Sequence, residues 1–378
     1  REGACVITRK LERAEIVDEA LAALDGGAQV VDSDVVADFL ALGYCYLQVE
    51  LLTRQMRYSS NLDEVHFSTL VVEAAAAAMA GEAETTAQKL TSCFDLLGQE
   101  RDHYYSVDAF VVDLTLLAST TLGAAFREAL AAGCPTNVLV SGALLAQMAA
   151  EHPTSLARLR QAMETSRCGL IGGEEVERRL ALLPAEALLG ELRRGQEIYR
   201  RHLDCTPQIY GRFRFGLTPG LPQLLSRLGY RGACHATFEE GRFPEGSQVK
   251  LRWEGSDGSS IDAIAKAPLD ASRPETFLNL AARLGESMDM DHVATLVLAH
   301  WPGRASPWLS DLRRIARFGG MLGRFVTVDE YFGDTDVPGY LERFEADQYR
   351  SPYLQQAVIR RQSDPISSSV SPSMFASI

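Results

Sequence analysis

The stretch that most constrains this chain is Gly211-Arg212-Phe213-Arg214-Phe215-Gly216-Leu217-Thr218-Pro219-Gly220-Leu221-Pro222-Gln223-Leu224-Leu225, running on to Gly229-Tyr230. Ile209-Tyr210 before it reads as the end of a strand. The glycine-bearing turn holds two arginines and two aromatics, and Thr218-Pro219 offers a cap and a first-turn proline for a helix. Strand, functional turn and helix form the repeating unit of an α/β barrel, where the turns after the strands carry the chemistry.

The same alternation extends to both sides. From Asp108 onward, strands are expected at 109–117, 136–141, 168–173, 208–210, 232–237, 293–300 and 325–328. Helices are expected at 122–132, 142–150, after Pro153, and at 184–203, 274–285 and 308–322. The uninterrupted apolar character of Phe110-Val111-Val112 and Val138-Leu139-Val140 suits strands buried on both faces of a parallel sheet, so the chain reads as an α/β sheet or barrel. A hairpin, 250–254 with 260–266, is joined through Gly255-Ser256-Asp257-Gly258.

Before Asp108 the pattern differs. Apolar stretches at 4–8 and 29–31 flank a helix over 12–25, a βαβ-like opening, and Asp32-Ser33-Asp34 can cap a helix through Leu42. The type of 44–52 stays open between strand and helix. Asp63 can cap a helix to Met79, and a second at 82–101 makes a helical hairpin, an insertion atypical for a minimal barrel. The expected organisation is 1–107 as first barrel elements plus this insertion, 108–333 as barrel core, and 334–378 as a linker or the start of a further domain. The last stretch is rich in Ser and Pro from Ser363 onward, and additional domains are expected in the full-length chain.

Charge and cysteine usage narrow the partners. A formal net charge of −13 disfavours a nucleic-acid surface, because phosphates reward Lys and Arg. No run of about 18 consecutive apolar residues is present, so no membrane span is expected. The seven cysteines, Cys5, Cys45, Cys93, Cys134, Cys168, Cys205 and Cys234, are spread singly and read as free thiols. That favours a reducing, cytoplasmic setting. The histidines lack metal-ligand spacing, and no phosphate loop, dinucleotide fingerprint or Gly-x-Ser-x-Gly follows a strand; neither metal nor cofactor is expected.

Candidate site residues are the polar groups that directly follow apolar strands. Glu174 and Glu175 are adjacent, so only one can face a pocket, as a general acid or nucleophile; the alternative is a first-turn carboxylate favoured by the helix dipole. Arg212 and Arg214 could bind a carboxylate or hydroxyls, or form an ion pair with a neighbouring loop. His235, His300 and Trp301 could line a sugar platform, or be a packed ring beside satisfied histidines. Asp113, central in an apolar strand, is either a site residue or the partner of a cation.

The Phe215–Leu225 turn with Gly229-Tyr230 resembles the Phe-Gly, Pro, Leu-Pro, Gly-Phe/Tyr signature of glycoside hydrolase family 38, the α-mannosidases. Gly172-Gly173-Glu174, Trp253-Glu254-Gly255-Ser256-Asp257-Gly258-Ser259 and Gly323-Arg324-Phe325-Val326-Thr327-Val328-Asp329-Glu330-Tyr331-Phe332 are similar as well. The resemblance implies a (β/α)7-type barrel as an amino-terminal domain, with carbohydrate as partner. It also implies two losses. The region corresponding to the family's zinc motif, Asp113-Leu114-Thr115-Leu116-Leu117, has no histidine, and the position of the family's nucleophilic Asp holds Phe213. Three readings follow: a zinc-independent hydrolase using Glu174 or Glu175 with Asp257 or Glu239; a catalytically silent barrel binding glycan through Arg212, Arg214, His300 and Trp301; or an architectural barrel.

Overall fold

A computed structural model describes residues 13–22, 32–289, 293–335 and 339–361. The expected apolar stretches at 4–8 and 29–31, Cys5 and the Ser- and Pro-rich end lie outside the described residues. In chain order the elements are α1 (Arg13–Ala22), α2 (Ser33–Gln55), α3 (Glu64–Ala80), α4 (Ala83–Tyr104), β1 (Asp108–Leu116), α5 (Ala124–Leu130), β2 (Thr136–Leu139), α6 (Gly142–Glu151), α7 (Pro153–Glu164), β3 (Cys168–Ile171), a 3-10 turn (Leu180–Leu182), α8 (Ala185–Leu203), β4 (Ile209–Gly211) and α9 (Leu221–Arg227). There follow β5 (Gly232–Cys234), β6 (Lys250–Glu254), β7 (Ser260–Ile264), β8 (Leu269–Asp270), α10 (Pro274–Leu278), α11 (Leu280–Glu286), β9 (Val293–His300), α12 (Pro307–Phe318), β10 (Arg324–Phe325), α13 (Val328–Asp334), β11 (Leu341–Glu342) and α14 (Pro352–Ile359).

The chain forms two compact units: residues 1–109 with 273–286 and 305–324, and residues 110–272 with 287–304 and 325–378. The described part of the first unit is helical ahead of Asp108, and both strands of the expected βαβ-like opening lie outside the described residues. The undecided 44–52 stretch lies inside α2. Tyr44, Cys45, Gln48, Val49 and Leu52 are buried at spacings of one, four, five and eight residues, the signature of one helical face. Tyr44 packs against Trp308 with ring centroids 5.4 Å apart and planes tilted by 46°, and donates to the Phe277 carbonyl. By length and composition α2 could also cross a membrane, a property that a search for uninterrupted apolar runs does not detect. The helical hairpin α3–α4 forms as expected, with the Asp63 carboxylate capping the His66 N–H at 2.9 Å.

The second unit is built on a curled, barrel-type sheet in the order β11-β6-β7-β5-β4-β3-β2-β1-β9-β8, with β10 also on β1. The pairs from β1 through β5, and β5 with β7, are all parallel, whereas β6 and β7 form the expected antiparallel hairpin. The chain therefore has an α/β barrel-type fold, as the strand–helix alternation implied. The two sheet faces have different cores. Phe110, Val112, Leu114 and Leu116 of β1, with Leu139, Ile171, Ile209, Cys234, Ile264, Val297 and Ala299 from the other strands, form one core against Val326, Val328 and Tyr331. The opposite face carries the helices: α5 to α7 over Val138, Val140 and Leu170, and α8 and α9 over Tyr210, Ala233, Leu251 and Trp253.

Two expected boundaries shift. α9 opens at Leu221, with Pro222 in its first turn, because Thr218 accepts the Leu221 N–H in a preceding backbone turn and supplies no side-chain cap. The strand expected at 325–328 stops at Phe325, where Thr327 instead caps α13 by accepting the Glu330 N–H.

Candidate functional site

Successive residues of a strand point to opposite faces, and this parity sorts the candidate residues. Val112 and Leu114 belong to the core shared by the strands, so Asp113 between them points to the other face. His300, between Ala299 and Trp301, does the same, and Asp113 accepts from His300 Nε2 at 2.9 Å with both side chains buried. Likewise His235 lies between Cys234 and Ala236, and Arg212 between Gly211 and Phe213. Asp113, His300, His235 and Arg212 are all at most 4% exposed. None of the four presents its polar end to a pocket on the shared-core face.

Arg212 and Glu174 form a buried ion pair, the alternative weighed for Arg212. Arg212 Nη1 donates to Glu174 Oε1 at 3.0 Å, the Tyr210 hydroxyl donates to the same oxygen at 2.9 Å, and Arg212 Nε donates to the Arg214 carbonyl at 2.8 Å. Arg212 also donates to the carbonyls of Arg178 and Gly216. Burial opposes the guanidinium charge, yet Glu174, with help from Tyr210 and Glu177, outweighs it and holds Arg212 above the ordinary arginine range. The glycines make this geometry possible. A Cβ on Gly195 of α8 would lie 2.8 Å from the Glu174 carbonyl carbon and 2.9 Å from Glu175 N, so only glycine lets the helix rest on that loop.

Of the remaining polar candidates, Glu175, Asp257 and Arg214 are committed nearer the surface and His235 in the interior. Glu175 diverges from its neighbour, as adjacency requires, and pairs with Arg194 Nε at 2.7 Å. Asp257 sits in the hairpin turn and accepts from Ser259 Oγ at 2.7 Å, a bond that lowers its pKa. Arg214 pairs with Glu239 at 3.0 Å, both half-exposed. His235 packs edge-on against Trp253 at 4.7 Å and Phe243 at 5.3 Å. Neither of its nitrogens has a partner among the described residues, and burial pushes its pKa down to about 3.

What does converge at the loops is aromatic. Phe213 stacks on Phe238, with centroids 5.5 Å apart and planes at 26°, and meets Trp301 edge-on, also at 5.5 Å. The three come from the loops after β4, β5 and β9. Phe213 and Trp301 pack on the shared core, and Phe238 is 37% exposed. The backbone under Phe213 is held firmly. Glu177 Oε2 accepts the N–H groups of Phe213 at 2.8 Å and Arg214 at 2.7 Å, Phe238 N donates to the Phe213 carbonyl at 2.8 Å, and Phe215 N donates to the Glu239 carbonyl at 2.8 Å. Burial raises the pKa of Glu177, with Arg212 and the two backbone bonds opposing.

Phe238, Glu177 and Tyr210 were not among the candidates read from the sequence. Phe238 was findable, since Cys234, Ala236 and Phe238 share one parity; nothing in the sequence marks Glu177. Among the described residues no group of three His, Cys, Asp or Glu side chains could hold a metal ion. Of the described cysteines, Cys45, Cys93, Cys168, Cys205 and Cys234 are free, and burial pushes the Cys45, Cys168 and Cys234 thiols up.

The fold is of a glycoside-hydrolase-like kind. Residues 138–301 match the glycosyl hydrolases family 38 N-terminal domain, so the likeness carried by the Phe-Gly turn extends over that stretch. Similar solved structures include an α-mannosidase from Enterococcus faecalis (13% identity, 64% of this chain and 30% of that chain, TM-score 0.48). A 4-α-glucanotransferase from Thermococcus litoralis gives 17% identity over 65% of this chain and 41% of that chain, with a TM-score of 0.47. A glycoside hydrolase family 57-type branching enzyme from Pyrococcus horikoshii gives 10% identity, 64% of this chain and 72% of that chain, with a TM-score of 0.47. The chain thus spans well under half the length of the first two. No curated protein matches the sequence.

Proposed function

We propose that this barrel binds carbohydrate at the loops after β4, β5 and β9 without hydrolysing it, with Phe213, Phe238 and Trp301 as the stacking platform. The observation that carries this reading is the aromatic cluster itself. It stands at the position where the α-mannosidase resemblance would put a nucleophilic carboxylate, and aromatic faces suit the C–H surface of a sugar ring. Half-exposed Arg214 and Glu239 flank the platform and could hydrogen-bond hydroxyls at its edge.

The chemistry of hydrolysis lacks support here. Retaining glycosidases need two carboxyl groups about 5 Å apart around the scissile bond. Glu174 is buried against Arg212, Glu175 is tied to Arg194, Asp257 closes its own turn and Glu239 is held by Arg214. The reading is tested by titrating the protein with soluble α-mannosyl and α-glucosyl oligosaccharides, following Trp fluorescence and heat, while assaying for released sugar. Binding without release supports it. Release that disappears in Glu174→Gln or Glu175→Gln would replace it with the hydrolase reading.

A further inference from the structure

We infer that a cleft between α5 and α7, lined by residues separate from those of the aromatic platform, is a binding site for a phosphate- or sulfate-type oxyanion. Its walls are α5, α7 and the residues leading into β3, enclosing about 590 Å³, and its lining carries Arg127, Arg158 and Arg167. The lining runs along both helices, from Ala124 and Thr154 in their first turns to Ala131 and Thr165 at their ends, with Arg167 directly before Cys168, the first residue of β3.

The fold makes little use of these three guanidinium groups. Arg127 Nη1 donates to Ser155 Oγ at 3.1 Å and Arg158 Nη1 to Gln161 Oε1 at 3.0 Å. No ion pair to a described carboxylate holds any of the three, although Glu128 also lies in the lining. In a chain of net charge −13, three arginines against one carboxylate, Glu128, give this cleft a local excess of positive charge that an anion would complement. A guanidinium presents a fork of N–H donors matched to a tetrahedral oxyanion, and Gln161 and Thr165 add an amide and a hydroxyl to the same wall.

The competing explanation is that the arginines satisfy the carboxyl ends of α5 and α7, and the backbone answers it. α7 closes on itself: Arg167 N donates to the Ala162 carbonyl at 2.8 Å and Ser166 N to the Met163 carbonyl at 2.9 Å, with Ser166 at φ 54°. At the end of α5, Ala131 N and Ala132 N reach back to the Arg127, Glu128 and Ala129 carbonyls. The donors of Arg127 and Arg158 beyond the Ser155 and Gln161 bonds, and the Arg167 guanidinium, are available to a ligand. Each helix carboxyl end opposes an anion by roughly two- to fivefold, whereas each charge-assisted guanidinium bond favours it by about tenfold or more. With three arginines the attraction wins.

The test is calorimetric titration of the intact chain at low ionic strength with inorganic phosphate, inorganic sulfate, glucose 1-phosphate and, as neutral control, glucose. The expected result is saturable one-site binding of the anions, weakened about tenfold in Arg158→Ser and again in Arg158→Ser/Arg167→Ser, and unchanged in Arg193→Ser, an exposed arginine of α8. Tighter binding of glucose 1-phosphate than of phosphate would assign the site to a phosphorylated sugar; equal binding would assign it to the free ion. Absence of saturable anion binding, or equal binding in the double variant, would overturn the inference. Loss of oligosaccharide binding at the aromatic loops would leave it untouched, because the two titrations use different ligands and different residues.

Discussion

Replacing Arg212 by Met removes the one cation paired with Glu174 among the described residues. The Glu174 side chain is 1% exposed and that of Arg212 is 0% exposed. After the change, Oε1 keeps only the Tyr210 hydroxyl, and Oε2 already has no partner among the described residues. Leaving one member of a buried pair uncompensated costs about 3–5 kcal/mol. The loss should sit at the upper end of that range, because the carbonyls of Arg178, Arg214 and Gly216 lose their donor in the same step. Arg214→Met is the internal comparison: its partner Glu239 and its own side chain are both more than 40% exposed, so the change should cost at most about 1 kcal/mol. Urea unfolding monitored by Trp fluorescence and by circular dichroism reads both. Pairing Arg212→Met with Glu174→Met should then cost less than the sum of the two single changes, because no charge is left stranded. Equal losses for Arg212→Met and Arg214→Met, or strictly additive losses in the double variant, would refute the view that the turn is held by this pair.

Other outcomes follow from the same structure. His235 titrates at about 3 when folded against roughly 6.5 unfolded. The unfolded chain therefore gains the proton first, and stability is lost as pH falls below about 6.5; the share owed to His235 between pH 7 and pH 4 is about 3 kcal/mol. His235→Phe should lose that much less over the same interval in urea unfolding, and parallel pH curves would contradict the assignment. Gly195→Ala should destabilise by about 1–3 kcal/mol or more, because its Cβ meets loop backbone rather than a movable side chain; a thermal shift near zero would show that α8 can move aside. Glu177→Ala frees the Phe213 and Arg214 N–H groups that its carboxylate holds. It should weaken oligosaccharide binding several-fold with little change in overall secondary structure, as calorimetry with circular dichroism would record.

Much of the architecture was legible because apolar runs and helix signals repeat at the spacing of βα units, from Phe110-Val111-Val112 to His300. Asp63, read as a helix cap, does cap α3, whereas Ser141, read as a strand end, caps α6. The site was harder to read for a reason of parity. Polar residues stand out in an apolar strand, so attention falls on Asp113, Arg212, His235 and His300, yet each alternates to the face opposite the shared strand core and is buried there. Their neighbours Phe213 and Trp301 occupy the informative face and look like ordinary core. One-residue alternation decides function here, and a strand end without an alignment partner does not announce its register. The ion pairing of Glu174 with Arg212 spans thirty-eight positions and depends on the packing of α8 against the loop, which no local pattern encodes.

The most direct test of the account is calorimetric titration of α-mannosyl and α-glucosyl oligosaccharides into the native protein and into Trp301→Ala and Phe213→Ala, with released sugar assayed in the same samples. The aromatic platform predicts saturable binding to the native protein, weakened about thirtyfold or more in each variant, and no released sugar in any sample. Affinity unchanged in both variants, or sugar release from the native protein, would contradict it.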